Sequence, residues 1–216
     1  GNELSYPGTT SAKFKISSSN AYGIKAFMEA KGADVFLKPI IRDEFNLITK
    51  AIRECLKFDI VITIGGASVG KFDLVHDAAI DAGIKFSFTE VNMRPGKPFK
   101  AGKKGRTIFL SLPGNSVSSF ICAQIFIGPI LEKFQGNFDK PAKIEAHLLE
   151  DIDKNGSRKH YMRAQLVEKG HGLFVRPFDN QDSHDLALLS RANSLIIRAS
   201  YAKSRKKGQK VEILRL

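Results

Sequence analysis

The chain has 216 residues, of which 43% are hydrophobic and 26% charged, a composition typical of a folded globular protein with room for one large or two small domains. It holds no run of 18 or more apolar residues and no N-terminal signal segment, so we expect no membrane partner. Its two cysteines, Cys55 and Cys122, lie in apolar helical patterns, as reduced thiols of a cytoplasmic protein commonly do.

The net charge of +12 makes a nucleic acid the first partner to consider. The positive charge is spread over both halves of the chain, and the densest cluster, Lys203–Lys210, has few aromatic side chains beside it to stack on bases. A solvated hairpin loop explains this cluster equally well. We therefore expect no nucleic-acid partner.

Helical periodicity and β-rich runs alternate over residues 1–137. The predicted helices are Asn20–Lys31, Glu44–Lys57, Phe72–Ala82 and Ser116–Phe134. The predicted strands are Asp34–Ile40, Asp59–Ile64, Lys85–Thr89 and Thr107–Leu112. This alternation is typical of an α/β fold, and it predicts a three-layer α/β/α domain around a mostly parallel sheet.

The pattern changes after a linker at Asn137–Pro141, and the long helical periodicity ends there. Five short β-rich runs follow, separated by turn residues. They are Lys143–Leu149, Tyr161–Glu168, Gly172–Pro177, Ser194–Ala199 and Gln209–Leu216. Strands at this spacing predict a second domain over residues 138–216, a small antiparallel β-barrel or sandwich.

Three glycine-containing turns follow predicted strands of the first domain: Gly65–Gly70, Arg94–Pro98 and Leu112–Ser116. A buried strand that opens into such a turn and then a helix binds anions, because the first N–H groups of the helix are free and its dipole is positive at that end. Three turns of this kind in one domain predict a pocket for a phosphorylated small molecule.

Six short motifs occur in an order and spacing that is far more specific than any one of them. They are Gly1-Asn-Glu-Leu4, Ser19-Asn20, Ile41-Arg-Asp43, Gly65-Gly66-Ala-Ser68-Val-Gly70 with Asp73, Arg94-Pro-Gly-Lys97-Pro98 and Leu112-Pro-Gly-Asn115. Together they resemble the C-terminal half of the molybdopterin molybdenumtransferase family, which includes the E domain of gephyrin-type proteins. The resemblance covers essentially the whole chain. It implies a molybdopterin-binding domain over residues 1–137 and a small C-terminal β domain over residues 138–216.

The family inserts molybdate into adenylylated molybdopterin and releases AMP, with Mg²⁺, and it acts as a homodimer. The resemblance therefore implies molybdopterin-AMP and molybdate as substrates and Mg²⁺ as the cofactor. It also implies a homodimeric assembly and a contact with molybdopterin adenylyltransferase.

The same resemblance assigns roles to individual residues. It implies catalytic roles for Glu3, Asp43, Asp73 and Pro113, with Asp43 and Asp73 as metal ligands. It implies substrate-binding roles for Gly65, Gly66, Ser68, Gly70, Arg94, Lys97, Gly114, Asn115 and Ser183. Arg158 and Arg163 are further candidates near the oxyanion. Carboxylates beside anionic substrates require a hard cation, and Mg²⁺ accepts one or two carboxylates together with phosphate oxygens.

Other interpretations of these residues stay open. Asp43 also suits a helix N-cap, Asp73 suits the N-terminus of a helix, and Lys100 suits a solvated charge on a loop. The motifs are also compatible with a nucleotide-binding domain like that of molybdopterin adenylyltransferase. A third hypothesis is a non-catalytic scaffold domain that binds peptides.

The sequence departs from the family in two respects. The family's N-terminal half and the first strand of this domain are absent, so we expect a fragment that binds molybdopterin but does not insert molybdenum alone. Ser116 stands where the family has proline. Serine favours a helix N-cap and proline presets the first helical turn, so we expect the turn to survive with altered rigidity.

Overall fold

The computed structural model describes residues 1–8, 15–66, 73–138, 144–170, 172–182 and 185–216. By their internal contacts they divide into two compact units. The first unit comprises Gly1–Val91 and Pro98–Gly136, and the second comprises Asn92–Lys97 and Asn137–Leu216. The short segment Asn92–Lys97 therefore belongs with the C-terminal residues, although it lies between strands of the first unit in the sequence.

The first unit contains all four predicted helices. Its helices are α1 (Asn20–Ala30), α2 (Phe45–Cys55), α3 (Leu74–Asp81), α4 (Ser116–Cys122) and α5 (Gly128–Phe134). The strands up to residue 112 are β1 (Leu4–Ser5), β2 (Ile16–Ser17), β3 (Ile60–Ile64), β4 (Lys85–Phe88), β5 (Met93–Arg94), β6 (Lys100–Lys104) and β7 (Thr107–Leu112). Of these strands, β5 belongs to the second unit.

The main sheet of the first unit is mixed, with the strand order β3-β7-β6-β4. Strands β3 and β7 run parallel, whereas β6 is antiparallel to both of its neighbours. The α/β class is confirmed, but the prediction of a mostly parallel sheet is wrong. The physical reason is the tight turn after β6, where Gly105 has a φ of 57° and returns the chain directly as β7.

Helices pack on both faces of this sheet, because the apolar side chains of β3 and β7 point alternately to one face and the other. Val61 and Phe109 point to the face on which α2 and α3 pack, and Phe109 is fully buried there. Leu110 and Leu112 alternate with Phe109 and therefore point to the other face, where α4 contacts β7. Both faces of the β3–β7 pair are thus apolar, as expected for buried parallel strands.

The predicted strand Asp34–Ile40 is not a strand in the structure. The backbone of this segment bonds to side chains instead of a neighbouring strand. Lys25 Nζ donates to the Val35 carbonyl at 3.3 Å, and the Ile40 N–H donates to the Tyr6 hydroxyl at 3.1 Å. The alternating pattern of a sequence indicates an extended backbone, but it does not identify a pairing partner.

The predicted helix Ser116–Phe134 is present, with a π-helical turn at Ala123–Ile127 between α4 and α5. Pro129 follows this turn, and a proline inside a helix removes an N–H group and crowds the preceding turn, which accounts for the irregularity. By length and composition alone this 19-residue helix is sufficient to cross a membrane. Half of its apolar window is buried inside the structure, as in the core helix of a folded domain.

The second unit is a closed barrel of five strands, and all five predicted strands are present. They are β8 (Ile144–Leu148), β9 (Lys159–Lys169), β10 (Gly172–Pro177), β11 (Ser194–Arg198) and β12 (Lys210–Arg215). The order is β10-β8-β12-β11-β9, and pairing of β9 with β10 closes the barrel. The β8–β10 pair is parallel and the other four are antiparallel. A short helix, α6 (Leu186–Arg191), precedes β11.

Candidate functional site

Two glycine turns of the first unit lie against each other at one edge of the sheet. They follow β3 and β7, which run parallel and end together with Ile64 opposite Leu112. The Gly65 N–H donates to the Leu112 carbonyl at 3.1 Å. A Cβ built on Gly114 would lie 3.3 Å from Gly65 Cα, so the two backbones approach as closely as glycine allows. The structure thus brings together Gly65 and Gly114, two of the residues expected to bind substrate.

The turn after β3 requires glycine for a second reason. Gly65 and Gly66 have φ values of 84° and 70°, in the left-handed region that other residues avoid. A Cβ on Gly66 would also collide with Val75 Cγ2 on α3. The backbone here is therefore fixed between the sheet and the helix. Ser68 and Gly70, the other residues expected in this turn, lie outside the described residues.

Three side chains hold the turn after β7. Asn115 is the N-cap of α4, and its Oδ1 accepts a hydrogen bond from the Ser118 N–H at 3.2 Å. The Ser119 hydroxyl donates to the Pro113 carbonyl, and Asn20 Nδ2 donates to the Gly114 carbonyl at 2.7 Å. Ser116 is the first helical residue, where proline would stand in the family. Because Asn115 supplies the cap, the helix begins at Ser116 without that proline.

Asp73 and Lys100 form a buried ion pair beside these turns. Asp73 is the N-cap of α3, and its Oδ1 accepts from the His76 N–H at 2.9 Å. Its Oδ2 accepts from the ammonium of Lys100, which lies on β6. The interpretation of Asp73 as a helix-capping acid is confirmed. The expectation that Lys100 is a solvated loop charge is wrong, because the residue is only 8% exposed.

Glu3 and Asp43 occupy a different position, around the first residues of the chain. The Asn2 N–H donates to Asp43 Oδ2 at 2.8 Å, and the Asp43 side chain is 44% exposed. The carboxylate of Glu3 folds over Gly1, where it occupies the space that a Cβ would take. Asp43 does not cap α2, because Glu44 is the residue at that N-cap position.

The residues do not fit a magnesium ion held jointly by Asp43 and Asp73. Each oxygen of Asp73 already accepts a hydrogen bond, and Lys100 already neutralises its charge. Within the described parts of the chain, no group of three or more histidine, cysteine, aspartate or glutamate side chains is arranged to hold a metal. A Mg²⁺ site in a protein requires carboxylate charge that is free to face the ion.

The turn that carries Arg94 and Lys97 belongs to the second unit, because β5 adds to the barrel strand β9 in parallel. Arg94 lies opposite His160, and His160 lies opposite Arg198 on β11. Registered neighbours share a face of a sheet, so these three residues form a row across three strands. Both Arg94 and Lys97 are exposed. Ser183 lies outside the described residues.

Two arginines of the barrel have structural partners. Arg198 is 3% exposed, and one of its guanidinium nitrogens donates to the Asp153 carbonyl at 3.1 Å. Arg163 is 1% exposed and donates to the backbone carbonyls of Asn180, Asp182 and Asp185. Burial lowers the pKa of the Arg163 guanidinium, while Asp185 and Asp182 act in the opposite direction. Arg158, by contrast, is exposed and immediately precedes β9.

His160 is the buried middle residue of this row, and no motif in the sequence marks it as a candidate site residue. Burial lowers its pKa from 6.5 to about 4, and Arg94, Arg198, Arg158 and Arg163 act in the same direction. The imidazole is therefore neutral at physiological pH. The charge of the row itself is then that of Arg94 and Arg198, which makes the row attractive to an anion at its exposed Arg94 end.

We expect His160 to make the stability of the chain depend on pH. Below pH 6.5 the unfolded chain protonates this histidine, whereas the folded chain protonates it only near pH 4, so the unfolded state binds more protons in that window. The free energy of unfolding should therefore fall as pH drops from 6.5 to 4, by about 3 kcal/mol from this residue. Urea unfolding of wild type and His160→Asn at pH 7 and pH 4.5 measures the difference. Equal losses in the two proteins would contradict the assignment.

Comparison with known families agrees with the two units. A family model described as "Probable molybdopterin binding domain" matches residues 1–133, and one described as "MoeA C-terminal region (domain IV)" matches residues 145–216. Among curated proteins, the molybdopterin molybdenumtransferase of Bacillus subtilis is 29% identical over 203 residues, which cover 93% of this chain and 47% of that protein. The enzyme of the same name from Nostoc sp. is 28% identical over 190 residues, which cover 85% of this chain and 44% of that protein.

A solved structure shares the fold. The molybdopterin biosynthesis MoeA protein from Pyrococcus horikoshii superposes with a TM-score of 0.81 at 20% identity, covering 99% of this chain and 52% of that one. The chain thus spans about half the length of the relatives that it matches.

Proposed function

Because this chain belongs to the molybdopterin molybdenumtransferase (MoeA) family, we propose that its glycine turns bind the molybdopterin part of molybdopterin-AMP and that the whole protein inserts molybdate into it, releasing AMP. The chain thus takes part in molybdenum cofactor biosynthesis as a transferase. The observation that carries the proposal is the contact between Gly65 and Gly114, which opens two backbone turns toward one edge of the sheet.

The first unit has the parts that a phosphorylated ligand requires. Asn115 caps the N–H of Ser118, and the N–H groups of Ser116 and Val117 in the same first turn of α4 are the donors that we propose for a phosphate. Asn20 fixes the Gly114 carbonyl and keeps that turn in position. The Oδ1 atom of Asn20 is buried and has no hydrogen-bond partner in the described residues, so it is available to an N–H donor of the ligand.

Molybdate binding is proposed for the cationic end of the row in the second unit. Arg94 and Lys97 are exposed cations on a turn that contains two prolines. Arg158 is a third exposed cation, and it lies two residues before His160 in the sequence. A dianion is bound well by charge-assisted donors, and the guanidinium of Arg94 offers a planar pair of them. Ser183 is the hydroxyl that the family resemblance adds to this set.

Magnesium, the partners and the compartment are further parts of the proposal. We propose that Mg²⁺ accompanies the phosphates of the substrate, since Lys100 already neutralises Asp73, and that Glu3 and Asp43, whose side chains are exposed rather than buried, are the carboxylates that face it. Homodimerisation, contact with molybdopterin adenylyltransferase and a cytoplasmic location are proposed from the family. The match of residues 145–216 to the MoeA C-terminal region favours the transferase over an adenylyltransferase-like or scaffold domain. Light scattering of the purified protein tests the dimer.

Gly66→Ala is expected to weaken molybdopterin binding at least about tenfold, which corresponds to about 1.4 kcal/mol. Alanine at a φ of 70° is strained, and its Cβ collides with Val75, so the turn must move. The matched control is Gly105→Ala, which has a φ of 57° but no atom within 4 Å of the added Cβ. Calorimetric titration of both variants with molybdopterin measures the two affinities. Equal affinities in the two variants would remove the turn from the binding site.

A further inference from the structure

The Asp73–Lys100 pair has an ammonium group in the position where a carboxylate-bound metal would lie. The two side chains are each 10% exposed, so solvent does not screen them effectively. We propose that Lys100 is a built-in cation that replaces a divalent metal at Asp73, so that this chain does not bind Mg²⁺ through Asp73. This inference concerns the metal site of the protein and holds whether or not the proposed activity is correct.

The sheet holds Lys100 in this position. Lys100 lies opposite Ser111, and Ser111 lies opposite Thr63, so the three side chains share the face on which α3 packs. The preceding residue, Phe99, is 1% exposed and stacks on Phe126 with ring centroids 4.2 Å apart. The strand fixes the backbone of Lys100, and its buried side chain would have to leave the protein interior to give its place to a metal.

Two neighbours of the pair limit β6 further. A Cβ on Gly102 would lie 2.7 Å from the Lys85 carbonyl, so β6 is pressed against β4 and cannot shift sideways. On α3, the His76 N–H holds Asp73 Oδ1 at 2.9 Å. The carboxylate is therefore held by the helix N-terminus, and the strand that carries the ammonium is held by its neighbours.

Electrostatic repulsion from Lys100 disfavours a second cation at the Asp73 carboxylate. The single negative charge of Asp73 is already matched by Lys100, and a divalent ion on the same carboxylate would lie close to a buried ammonium. In the part of the chain that the structure describes, no group of three or more acidic, histidine or cysteine side chains includes Asp73, so no cluster of carboxylates offsets that repulsion. Removal of the ammonium would instead leave the buried carboxylate of Asp73 without a countercharge. Carboxylate oxygens are ligands of the kind that Mg²⁺ and Mn²⁺ prefer.

Mn²⁺ binding to the whole chain tests the proposal without any activity assay. We measure bound Mn²⁺ by electron paramagnetic resonance in wild type, Lys100→Ala and the double variant Asp73→Asn/Lys100→Ala. Lys100→Ala should gain one Mn²⁺ that binds at least about tenfold more tightly than in wild type, and the double variant should lose that ion. Ions at the exposed Glu3 or Asp43 are common to all three proteins and cancel in the comparison. If Lys100→Ala gains no Asp73-dependent ion, the proposal is wrong.

A second measurement uses wild type alone and covers the case in which Lys100→Ala does not fold. Substoichiometric Mn²⁺ broadens the amide resonances of residues near the bound ion. The amide signals of Val75 and His76, in the first turn of α3, should stay sharp in wild type. Selective broadening of these two signals that persists in Asp77→Asn, which removes the exposed acid of the same turn, would mean that a metal binds at Asp73 despite Lys100, and it would overturn the proposal. Molybdopterin titration of the same sample reports on the proposed function separately.

Discussion

Asp73→Asn is expected to lower the free energy of unfolding by about 3 to 5 kcal/mol, because it leaves the ammonium of Lys100 buried without a countercharge. Lys100 is 8% exposed and Asp73 9% exposed, so water does not compensate the lost carboxylate. Asparagine is as good an N-cap as aspartate, and it keeps the bond to the His76 N–H. The loss therefore reports on the ion pair and not on the cap. Urea unfolding followed by circular dichroism measures it.

Two further variants separate the pair from its surroundings. Lys100→Met should also destabilise the chain by about 3 to 5 kcal/mol, since it leaves the carboxylate uncompensated. The double variant Asp73→Asn/Lys100→Met removes both charges, and its stability should return to within about 2 kcal/mol of wild type. If the two single losses simply add in the double variant, the pair is not coupled. An exposed metal ligand at residue 73 would instead tolerate asparagine with little change in stability.

The helices of the first unit were predictable from sequence because apolar residues recur with the helical period and glycines follow their ends. Gly32 and Gly83, with φ values of 79° and 91°, lie just after α1 and α3. The direction of the strands was not predictable in the same way. Strand β6 is short, carries three lysines and a glycine, and reads locally as a loop. Its place in the sheet depends on pairing with β4 and β7, which no local pattern encodes.

The same distinction applies to the candidate site. The two glycine turns and the caps at Asp73 and Asn115 follow from local rules about helix starts. The partner of Asp73 does not, because Lys100 is 27 residues away and its burial depends on the strand register. One sequence feature points to it: Gly102 in the middle of a strand indicates a close backbone approach, and Lys100 lies two positions earlier on the same face.

The allocation of Arg94 and Lys97 to the barrel was also hidden from the sequence. The turn lies between β4 and β6, so its position along the chain suggests that it belongs to the first unit. The backbone pairing of Met93 with Lys159 and of Arg94 with His160 assigns it to the second unit. Two residues of strand are too short to be recognised by alternation.

Arg163→Ala is expected to lower the free energy of unfolding by about 3 to 5 kcal/mol, because the side chain holds a whole segment of backbone. Its guanidinium donates to the carbonyls of Asn180, Asp182 and Asp185, at 3.3, 2.8 and 3.0 Å. Alanine leaves these acceptors without their donor and a cavity where the arginine was fully buried. The bonds that Gln181 and Phe178 make with the backbone of residue 163 would then be the remaining ones between this region and that position of β9.

The matched control is Arg176→Ala, which removes an exposed arginine of the same barrel. Arg176 pairs with Glu150 at 2.8 Å, and both side chains are about half exposed, so we expect a loss of less than about 1 kcal/mol. Arg163→Lys should fall between the two, because an ammonium can reach one of the three carbonyls but does not span them. Unfolding of the three variants in urea at pH 7 gives the order of their free energies of unfolding. If Arg163→Ala is as stable as Arg176→Ala, the three hydrogen bonds do not support the fold, and Arg163 is then free to serve the oxyanion instead.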